Sequence, residues 1–269
     1  MTGFYIGEEF LEQNVFQYFN NRVQKTLKAQ QELQEEIGGE TPTLKTFNQT
    51  SEKLDFLQDS SVDFIFTDPP YGDAVPYLEQ SLLYNSWLQQ KPNYEAEVVI
   101  SDSKVRQKNE DDYFLRITSC FSECHRVLKH NKQMIVTFHN MDSDVWYKFV
   151  NTIIQAGFVL DNVFSLYQKT STPRQLNRAN SIKCDMLLLF TKATYKNAVL
   201  SQSEIENILR VEFKKLAKQS VSHSTDELIT KSLIAIYQNG IPKDGFNFAT
   251  FFNDNFIFKN NQWIVPTSN

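Results

Sequence analysis

Glycine is scarce in this sequence. The 269 residues contain eight glycines, less than half of the share of about 7% that is usual in soluble proteins. They lie at positions 3, 7, 38, 39, 72, 157, 240 and 245. No two of them are separated by a single residue. The chain therefore contains neither a G-x-G nucleotide or cofactor loop nor a Walker-type phosphate loop.

Cysteine is scarce too, and its pattern argues against a disulfide framework. The three cysteines are Cys120, Cys124 and Cys184, an odd number, and the first two have the i, i+4 spacing of a helix. His125 and His130 lie nearby, but no second pair of residues with zinc-ligand spacing follows, so we predict buried thiols and no metal site. With no apolar run of 18 residues and no leader, we expect a cytoplasmic protein without a membrane segment.

Charge and aromatic content exclude two further classes of protein. The chain carries 27 Lys and Arg against 32 Asp and Glu, a net charge of −5, which argues against a polycationic nucleic-acid coat. With 41% hydrophobic residues, 22 Phe and 11 Tyr, it has the means to build a core rather than remain disordered.

Alternating helix and strand patterns predict an α/β protein with an open sheet. Mostly apolar runs predict strands over residues 61–67, 133–139, 158–167 and 184–191, the last two forming an edge hairpin across a long loop. Amphipathic spacing predicts helices over 12–37, 77–90, 113–128 and from 142 or 143 to 156. A short strand over 43–47 and a short helix over 52–57 complete this prediction.

The composition changes near Ala198. Beyond it we predict two amphipathic helices, 203–218 and 226–237, and a small strand pair within 246–265. A stripe of phenylalanines is interpreted as a packing surface: Phe248, Phe251, Phe252, Phe256 and Phe258. The predicted organisation is an N-terminal helical segment (1–42), a catalytic α/β domain (43–198) and a C-terminal helical appendage (199–269).

One tetrapeptide is the candidate catalytic motif of the sequence. Asp68-Pro69-Pro70-Tyr71 directly follows the predicted strand 61–67, and open α/β sheets bind their ligands at the carboxyl ends of strands. The alternative interpretation is an ordinary Pro-Pro turn leaving a strand.

The segment TDPPYGD resembles the catalytic motif of the amino-group DNA methyltransferases, which methylate N6 of adenine or N4 of cytosine with S-adenosylmethionine. The preceding NQTSEKLDFLQDSSVDFIF is similar to the loop, short helix and strand that lead to their motif. The likeness continues through YLEQSLLYNSWL, EVVIS, HRVLK and TFHN to about residue 192. It implies a Rossmann-like methyltransferase sheet, DNA as partner, a restriction-modification setting and methylation of adenine N6, with cytosine N4 second.

The resemblance also implies a role for each motif residue. The Asp68 carboxylate would accept one N–H of the exocyclic amine and the Pro69 backbone carbonyl the other. Pro69 and Pro70 have a fixed φ and stiffen that carbonyl in place. Tyr71 would stack on the base, which must be flipped out of the duplex.

The sequence departs from the family on the cofactor side. The family holds the methionine part of its cofactor with an F-x-G-x-G loop, which is absent here. Where Gly-Asp is usual before SEKLDFL, this chain has Asn48 and Gln49. Gln49 and Asp68 are then the cofactor-side residues that the resemblance provides. We predict that the first βα unit lies upstream in a longer parent or on a second polypeptide.

A basic segment points to a polyanionic partner. Between residues 162 and 203 a single acid, Asp185, stands among six basic residues: Lys169, Arg174, Arg178, Lys183, Lys192 and Lys196. We predict phosphate contacts from this loop, with Lys169, Arg174, Arg178 and Lys183 as the DNA-binding residues. A solvated hairpin loop at a sheet edge is the alternative.

Two further functions stay open. One is N-methylation of RNA or of a protein glutamine, although those relatives more often carry Asn than Asp at the first motif position. The other is a non-catalytic subunit that binds DNA or a partner chain, which the missing glycine loop favours. His139, Asn140, Asp73 and Tyr77 are weaker candidates for lining the same pocket.

Overall fold

Helix α1 is the main described element of the first of two compact units, Met1–Gln49 and Thr50–Asn269. In the computed structural model the described residues are 14–37, 43–73, 75, 77–103, 106–139, 143–166, 185–193, 198–218, 220, 222–260 and 262–266. Helix α1 spans Val15–Ile37, as its four-residue apolar spacing predicts. The predicted strand over 43–47 is wrong, because these residues form no regular element.

The second unit is built on a four-stranded mixed sheet. Its strands are β1 (Val62–Thr67), β2 (Leu128–Phe138), β3 (Phe158–Leu166) and β4 (Asp185–Lys192), in the order β1-β2-β4-β3. β1 and β2 are parallel, whereas β4 is antiparallel to both β2 and β3. The predicted α/β class and edge hairpin are therefore confirmed.

Three helices connect these strands. They are α2 (Tyr77–Trp87), α3 (Glu110–Val127) and α4 (Ser143–Gln155). α3 starts at an Asn109 cap whose side chain accepts a hydrogen bond from the Asp112 backbone N–H at 2.9 Å. β2 follows α3 without a loop and begins five residues before the predicted strand.

One face of the sheet is the buried one. On β2, Met134, Val136 and Phe138 are fully buried. Phe149 of α4 stacks on Phe138 with ring centroids 3.8 Å apart and an interplanar angle of 8°. Phe121 of α3 packs edge-on against Phe149 at 5.8 Å. Helices α3 and α4 therefore cover the same face of the sheet.

The C-terminal region shares this core. It contains α5 (Gln202–Ala217), α6 (Thr225–Asn239), α7 (Phe248–Asn255) and five short strands: β5 (Val199–Leu200), β6 (Ser222–His223), β7 (Ile241–Pro242), β8 (Ile257–Lys259) and β9 (Gln262–Ile264). The Tyr237 hydroxyl of α6 donates to Asn151 Oδ1 of α4 at 3.1 Å. The Ser165 and Thr230 hydroxyls of β3 and α6 lie 3.1 Å apart.

The predicted strand pair within 246–265 is only partly right. β8 and β9 form an antiparallel hairpin, but helix α7 precedes it. The Asn247 side chain caps α7 by accepting from the Thr250 N–H at 2.9 Å. Phe248, Phe251 and Phe252 have helical spacing and are 3%, 6% and 1% exposed, so their predicted role in packing is confirmed.

Side chains of α3 fix the loop that enters β1. Glu123 Oε2 accepts the Leu54 N–H at 2.7 Å. The Arg126 guanidinium donates to the Leu54 and Leu57 carbonyls, each at 3.0 Å, and to Asp59 at 2.6 Å. The predicted helix over 52–57 is wrong: these residues form turns, with the Leu57 N–H donating to the Leu54 carbonyl at 2.8 Å, and the long-range bonds from α3 hold them in place.

This clamp predicts a specific pH dependence of stability. The Arg126 side chain and the Leu54 N–H lower the pKa of Glu123 from 4.5 to about 2. A lowered pKa in the folded state means that the stabilisation is present above pH 4.5 and is lost as the pH falls towards 2. Glu123→Gln should therefore be less stable than the wild type at pH 7, with a difference that shrinks below pH 4.5.

Denaturant unfolding at several pH values measures this difference. The exposed Glu95→Gln variant controls for the loss of a carboxylate. A stability difference between Glu123→Gln and the wild type that stays constant from pH 7 to pH 3 contradicts the proposed contribution of the clamp.

Candidate active site

The Asp68 carboxylate lies exposed at the carboxyl end of β1. Because Thr67 pairs with Val136, the next residue of each strand, Asp68 and Thr137, come side by side. Asp68 Oδ1 accepts hydrogen bonds from the Thr137 hydroxyl and the Tyr71 hydroxyl, both at 2.5 Å. Within the described part of the chain, the other oxygen, Oδ2, has no hydrogen-bond partner. Oδ1 is thus fixed by two hydrogen bonds, whereas Oδ2 remains available to accept one.

The carbonyl of the second proline is held by a hydrogen bond from a buried side chain. The Pro70 carbonyl accepts the hydroxyl of the fully buried Tyr113 at 2.6 Å. Burial raises the pKa of Tyr113, so its hydroxyl stays a donor. No hydrogen bond to the Pro69 carbonyl occurs among the residues that the structure describes. The turn therefore holds the Pro70 carbonyl inward and leaves the Pro69 carbonyl unpaired.

Gly72 completes the turn in the left-handed region. Its φ is +73°, which a side chain disfavours. Its carbonyl accepts the Ile100 N–H at 3.1 Å. The segment around the buried Val99 is thereby tied to the motif.

Tyr71 is half-buried, with its ring edge-on to Phe138 at a centroid distance of 5.6 Å. Burial, and after it the hydrogen bond to Asp68, raises the pKa of Tyr71. The phenol therefore remains neutral and continues to donate to the carboxylate. In this structure its hydroxyl orients Asp68, a contact that the sequence did not suggest.

A second acid-containing pair adjoins the motif. His139 Nδ1 at the end of β2 lies 3.4 Å from Asp185 Oδ1 at the start of β4. The charge of Asp185 contributes to the raised pKa of Tyr71, and burial followed by the charge of Asp68 raises the pKa of Tyr77. The structure therefore groups His139, Asp185 and Tyr77 around the motif.

Sequence reasoning missed Thr137 and Asp185. Thr137 alternates with buried neighbours in β2, but the sequence around it, MIVTF, shows no such alternation. Asp185 attracted notice only as the lone acid of a basic segment. Which groups these two residues meet depends on strand pairing, and no local pattern shows that.

The loop between α2 and α3 braces α2. Glu97 Oε1 accepts the Leu78 N–H at 3.1 Å and so caps the start of α2. Arg106 forms ion pairs with both Glu97 and Glu79, and its guanidinium lies 4.9 Å from the Tyr94 ring centroid. These contacts fix the helix that follows the motif.

The remaining predicted site residues belong to the first unit or fall outside the described residues. Gln49 is exposed and belongs to the first unit, whereas Asp68 belongs to the second. Lys169, Arg174, Arg178 and Lys183, together with Asn140, lie outside the described residues. Lys192, counted among the basic residues of the segment, donates to the His125 and Leu128 carbonyls at 2.5 and 2.6 Å. It serves the end of α3 rather than a DNA surface.

The cysteines of α3 are protonated structural residues. Burial raises the pKa of Cys120 to about 11 and that of Cys124 to about 12. His125 packs edge-on against Phe158 at 5.4 Å. In the described ranges no group of three or more His, Cys, Asp or Glu has a metal-binding arrangement. No helix there has both the length and the apolar character needed to cross a membrane.

An exposed carboxylate and a stiff proline turn thus lie at the carboxyl ends of the strands, where open α/β sheets bind their ligands. The chain matches the DNA methylase family of N6-adenine and N4-cytosine type over residues 62–263. It therefore belongs to this family. S-adenosylmethionine is the cofactor of the family. No curated protein sequence matches the chain significantly.

Several solved structures are similar at low identity. The PvuII cytosine-N4 DNA methyltransferase shares 14% identity over 55% of this chain and 49% of its own, with a TM-score of 0.37. TTHA0409 of Thermus thermophilus, assigned as a DNA modification methylase and complexed with S-adenosylmethionine, shares 11% over 70% and 72%, at 0.35. M1.HpyAVI with S-adenosylmethionine shares 13% over 52% and 47%, at 0.28. The chain spans about half the length of the PvuII enzyme.

The sequence lacks one feature that the cofactor requires. The methionine part needs backbone N–H groups on a glycine-rich turn, and the sequence has no G-x-G anywhere. The 269 residues therefore contain no glycine-rich turn of this kind for that part of the cofactor.

Proposed function

We propose that this chain is the catalytic part of a DNA adenine-N6 methyltransferase, with cytosine N4 as the second candidate base. The observation that carries the proposal is the anchored carboxylate. Asp68 is exposed, its Oδ1 is fixed by Tyr71 and Thr137, and its Oδ2 is unpaired within the described ranges. The proposed setting is a cytoplasmic restriction-modification system.

The two acceptors act on the amine. The lone pair of an exocyclic amine is delocalised into the ring, so the nitrogen is a weak nucleophile. Acceptance of one N–H by Asp68 and of the other by the Pro69 carbonyl favours a pyramidal nitrogen and stabilises its developing positive charge. S-adenosylmethionine supplies the methyl group.

Rigidity makes the acceptors effective. The turn is fixed by the proline rings and by the Tyr113 hydroxyl on the Pro70 carbonyl at 2.6 Å. Acceptors that are already oriented need no reorganisation when charge develops. Tyr71, half-buried and edge-on to Phe138, is the proposed stacking surface for the flipped base.

The proposed DNA contacts come from the loop between β3 and β4. Leu166 pairs with Asp185, and Met186 pairs with Phe138 at the end of β2. Leu166 and Asp185, the described residues that flank 167–184, therefore lie at the end of the sheet that carries Asp68. This position supports contacts of Lys169, Arg174, Arg178 and Lys183 with DNA phosphates.

The first prediction concerns Asp68. In the source organism, deletion of the gene and complementation with Asp68→Ala should lower N6-methyladenine or N4-methylcytosine in genomic DNA by at least about a hundredfold. Asp68→Asn retains one acceptor oxygen and should keep part of the activity. Mass spectrometry of hydrolysed DNA measures both bases and identifies which one is the product.

Asp55→Asn, an exposed carboxylate in the turn before β1, is the matched control. Thermal unfolding of the purified variants checks that the fold is intact. Wild-type levels of the methylated base in Asp68→Ala would refute the assigned role.

The second prediction concerns the cofactor. Because the chain lacks a glycine-rich cradle, calorimetry of the full chain with S-adenosylmethionine should show no binding up to about 1 mM. Binding with a dissociation constant in the micromolar range would contradict the proposal that the chain is only part of the enzyme. Circular dichroism of the same sample confirms that the protein is folded.

The third prediction concerns the basic loop. Arg174→Ala with Arg178→Ala should weaken DNA binding and flatten its dependence on salt, by up to about 1.8 in the slope of log K against log salt. Lys214→Ala with Lys218→Ala removes the same charge from exposed positions of the C-terminal region and should leave the slope unchanged. Equal slopes for the loop variant and the wild type would contradict phosphate contacts from this loop and favour a solvated loop instead.

A further inference from the structure

The C-terminal region has the topology of a winged helix. Along the chain, helix α5, strand β6, helices α6 and α7 and strands β8 and β9 follow one another. The three strands form one antiparallel sheet in the order β6-β9-β8. A helix–strand–helix–helix–strand–strand order with this sheet is the winged-helix arrangement, in which the second and third helices form a helix-turn-helix.

Aromatic contacts hold these elements together. Phe213 of α5 lies edge-on to Phe252 of α7 with ring centroids 6.0 Å apart, and Phe252 lies 5.8 Å from the Trp263 ring of β9. The Trp263 ring N–H donates to the Thr225 hydroxyl at the start of α6 at 3.0 Å. These contacts connect all three helices to the sheet.

Helix α7 occupies the position of the recognition helix. Phe248, Phe251 and Phe252 point inward and are almost fully buried. The opposite face of α7 is exposed and carries small and polar residues: Ala249, Thr250, Asn253 and Asp254. In helix-turn-helix proteins the second helix of the motif lies in the major groove of DNA and presents its outward residues to base edges. The exposed face of α7 corresponds to that surface.

The outward side chains of α7 are of the types that read bases. An Asn side chain can form two hydrogen bonds with N6 and N7 of adenine, an Asp carboxylate accepts from N4 of cytosine, and a Thr methyl group contacts the methyl group of thymine. Asn253, Asp254 and Thr250 supply one side chain of each type. The sequence of α7 contains no Lys or Arg. Its exposed face therefore suits base contacts better than phosphate contacts.

The β8–β9 hairpin is the wing of this arrangement. Lys259 pairs with Gln262 at its tip, and both side chains are exposed. Basic and acidic residues are equal in number between residues 199 and 266, so this region adds little to the attraction of phosphates. On the proposed function, that attraction comes from the basic loop between β3 and β4.

We propose that residues 199–266 are a winged-helix module that reads the recognition sequence in DNA. Thr250, Asn253 and Asp254 of α7 are its specificity-determining residues, and Asp68 acts on the flipped base. This inference rests on the proposed function, because a DNA methyltransferase is selective for a sequence only if part of it discriminates between base pairs.

Single-molecule sequencing of genomic DNA tests the module, since it locates both N6-methyladenine and N4-methylcytosine. In the source organism lacking the wild-type gene, the full chain carrying Asn253→Ala should also methylate sites that differ from the wild-type site at one base pair. The ratio of correct to altered sites should fall about tenfold, because one base contact is lost. Asn207→Ala, at an exposed position of α5, is the matched control and should keep the wild-type ratio.

The outcomes separate this inference from the proposed function. If wild-type complementation restores methylation and Asn253→Ala gives the same sites in the same ratio, the inference is overturned and the proposed function stands. Loss of all methylation by Asn253→Ala also overturns it, because a reading residue changes the choice of site. If wild-type complementation yields no methylated base, the proposed function fails and the inference fails with it.

DNA binding by the purified full chain gives a second measurement. Asn253→Ala should leave the slope of log K against log salt unchanged, because no phosphate contact is removed. A flatter slope would make α7 a backbone contact and overturn its role in reading bases. Thermal unfolding of the variant should match the wild type, because the Asn253 side chain is exposed.

Discussion

The parallel pairing of β1 with β2 is the constraint on which the site depends. The pairing of Thr67 with Val136 brings the Thr137 hydroxyl to Asp68. A shift by one residue would replace that hydroxyl with an apolar side chain. The register is held by burial, since Met134, Val136 and Phe138 on the opposite face are fully buried. Core packing and acceptor geometry are therefore set by the same strand pair.

The elements that the sequence predicted well have strong local patterns. β1, β4 and the long helices carry apolar runs or helical spacing within their own residues, so they can be predicted without knowledge of their neighbours in the fold. The prediction of a helix over 52–57 failed because the conformation of this loop is set by Glu123 and Arg126, 69 or more residues away. The contact of Asp68 with Thr137 spans 69 residues and was invisible for the same reason. The helical spacing of Phe248, Phe251 and Phe252, in contrast, was present in the sequence and was misread.

The two faces of the sheet differ in how complete they are. α3 and α4 bury Met134, Val136 and Phe138, and α6 adds the Tyr237 bond to Asn151. The opposite face leaves Phe64 and Phe66 half exposed or more. Stability of this unit therefore comes from one layer of helices and from the C-terminal region that shares its core. The C-terminal helices supply burial that the second face does not.

The acceptor side of the site needs no further part to be rigid. The Tyr113 hydroxyl fixes the Pro70 carbonyl, and Thr137 and Tyr71 fix Asp68, all from within this chain. Preorganised acceptors of this kind lose little freedom when an amine binds. On the proposed function, the amine therefore meets acceptors that this chain has already oriented.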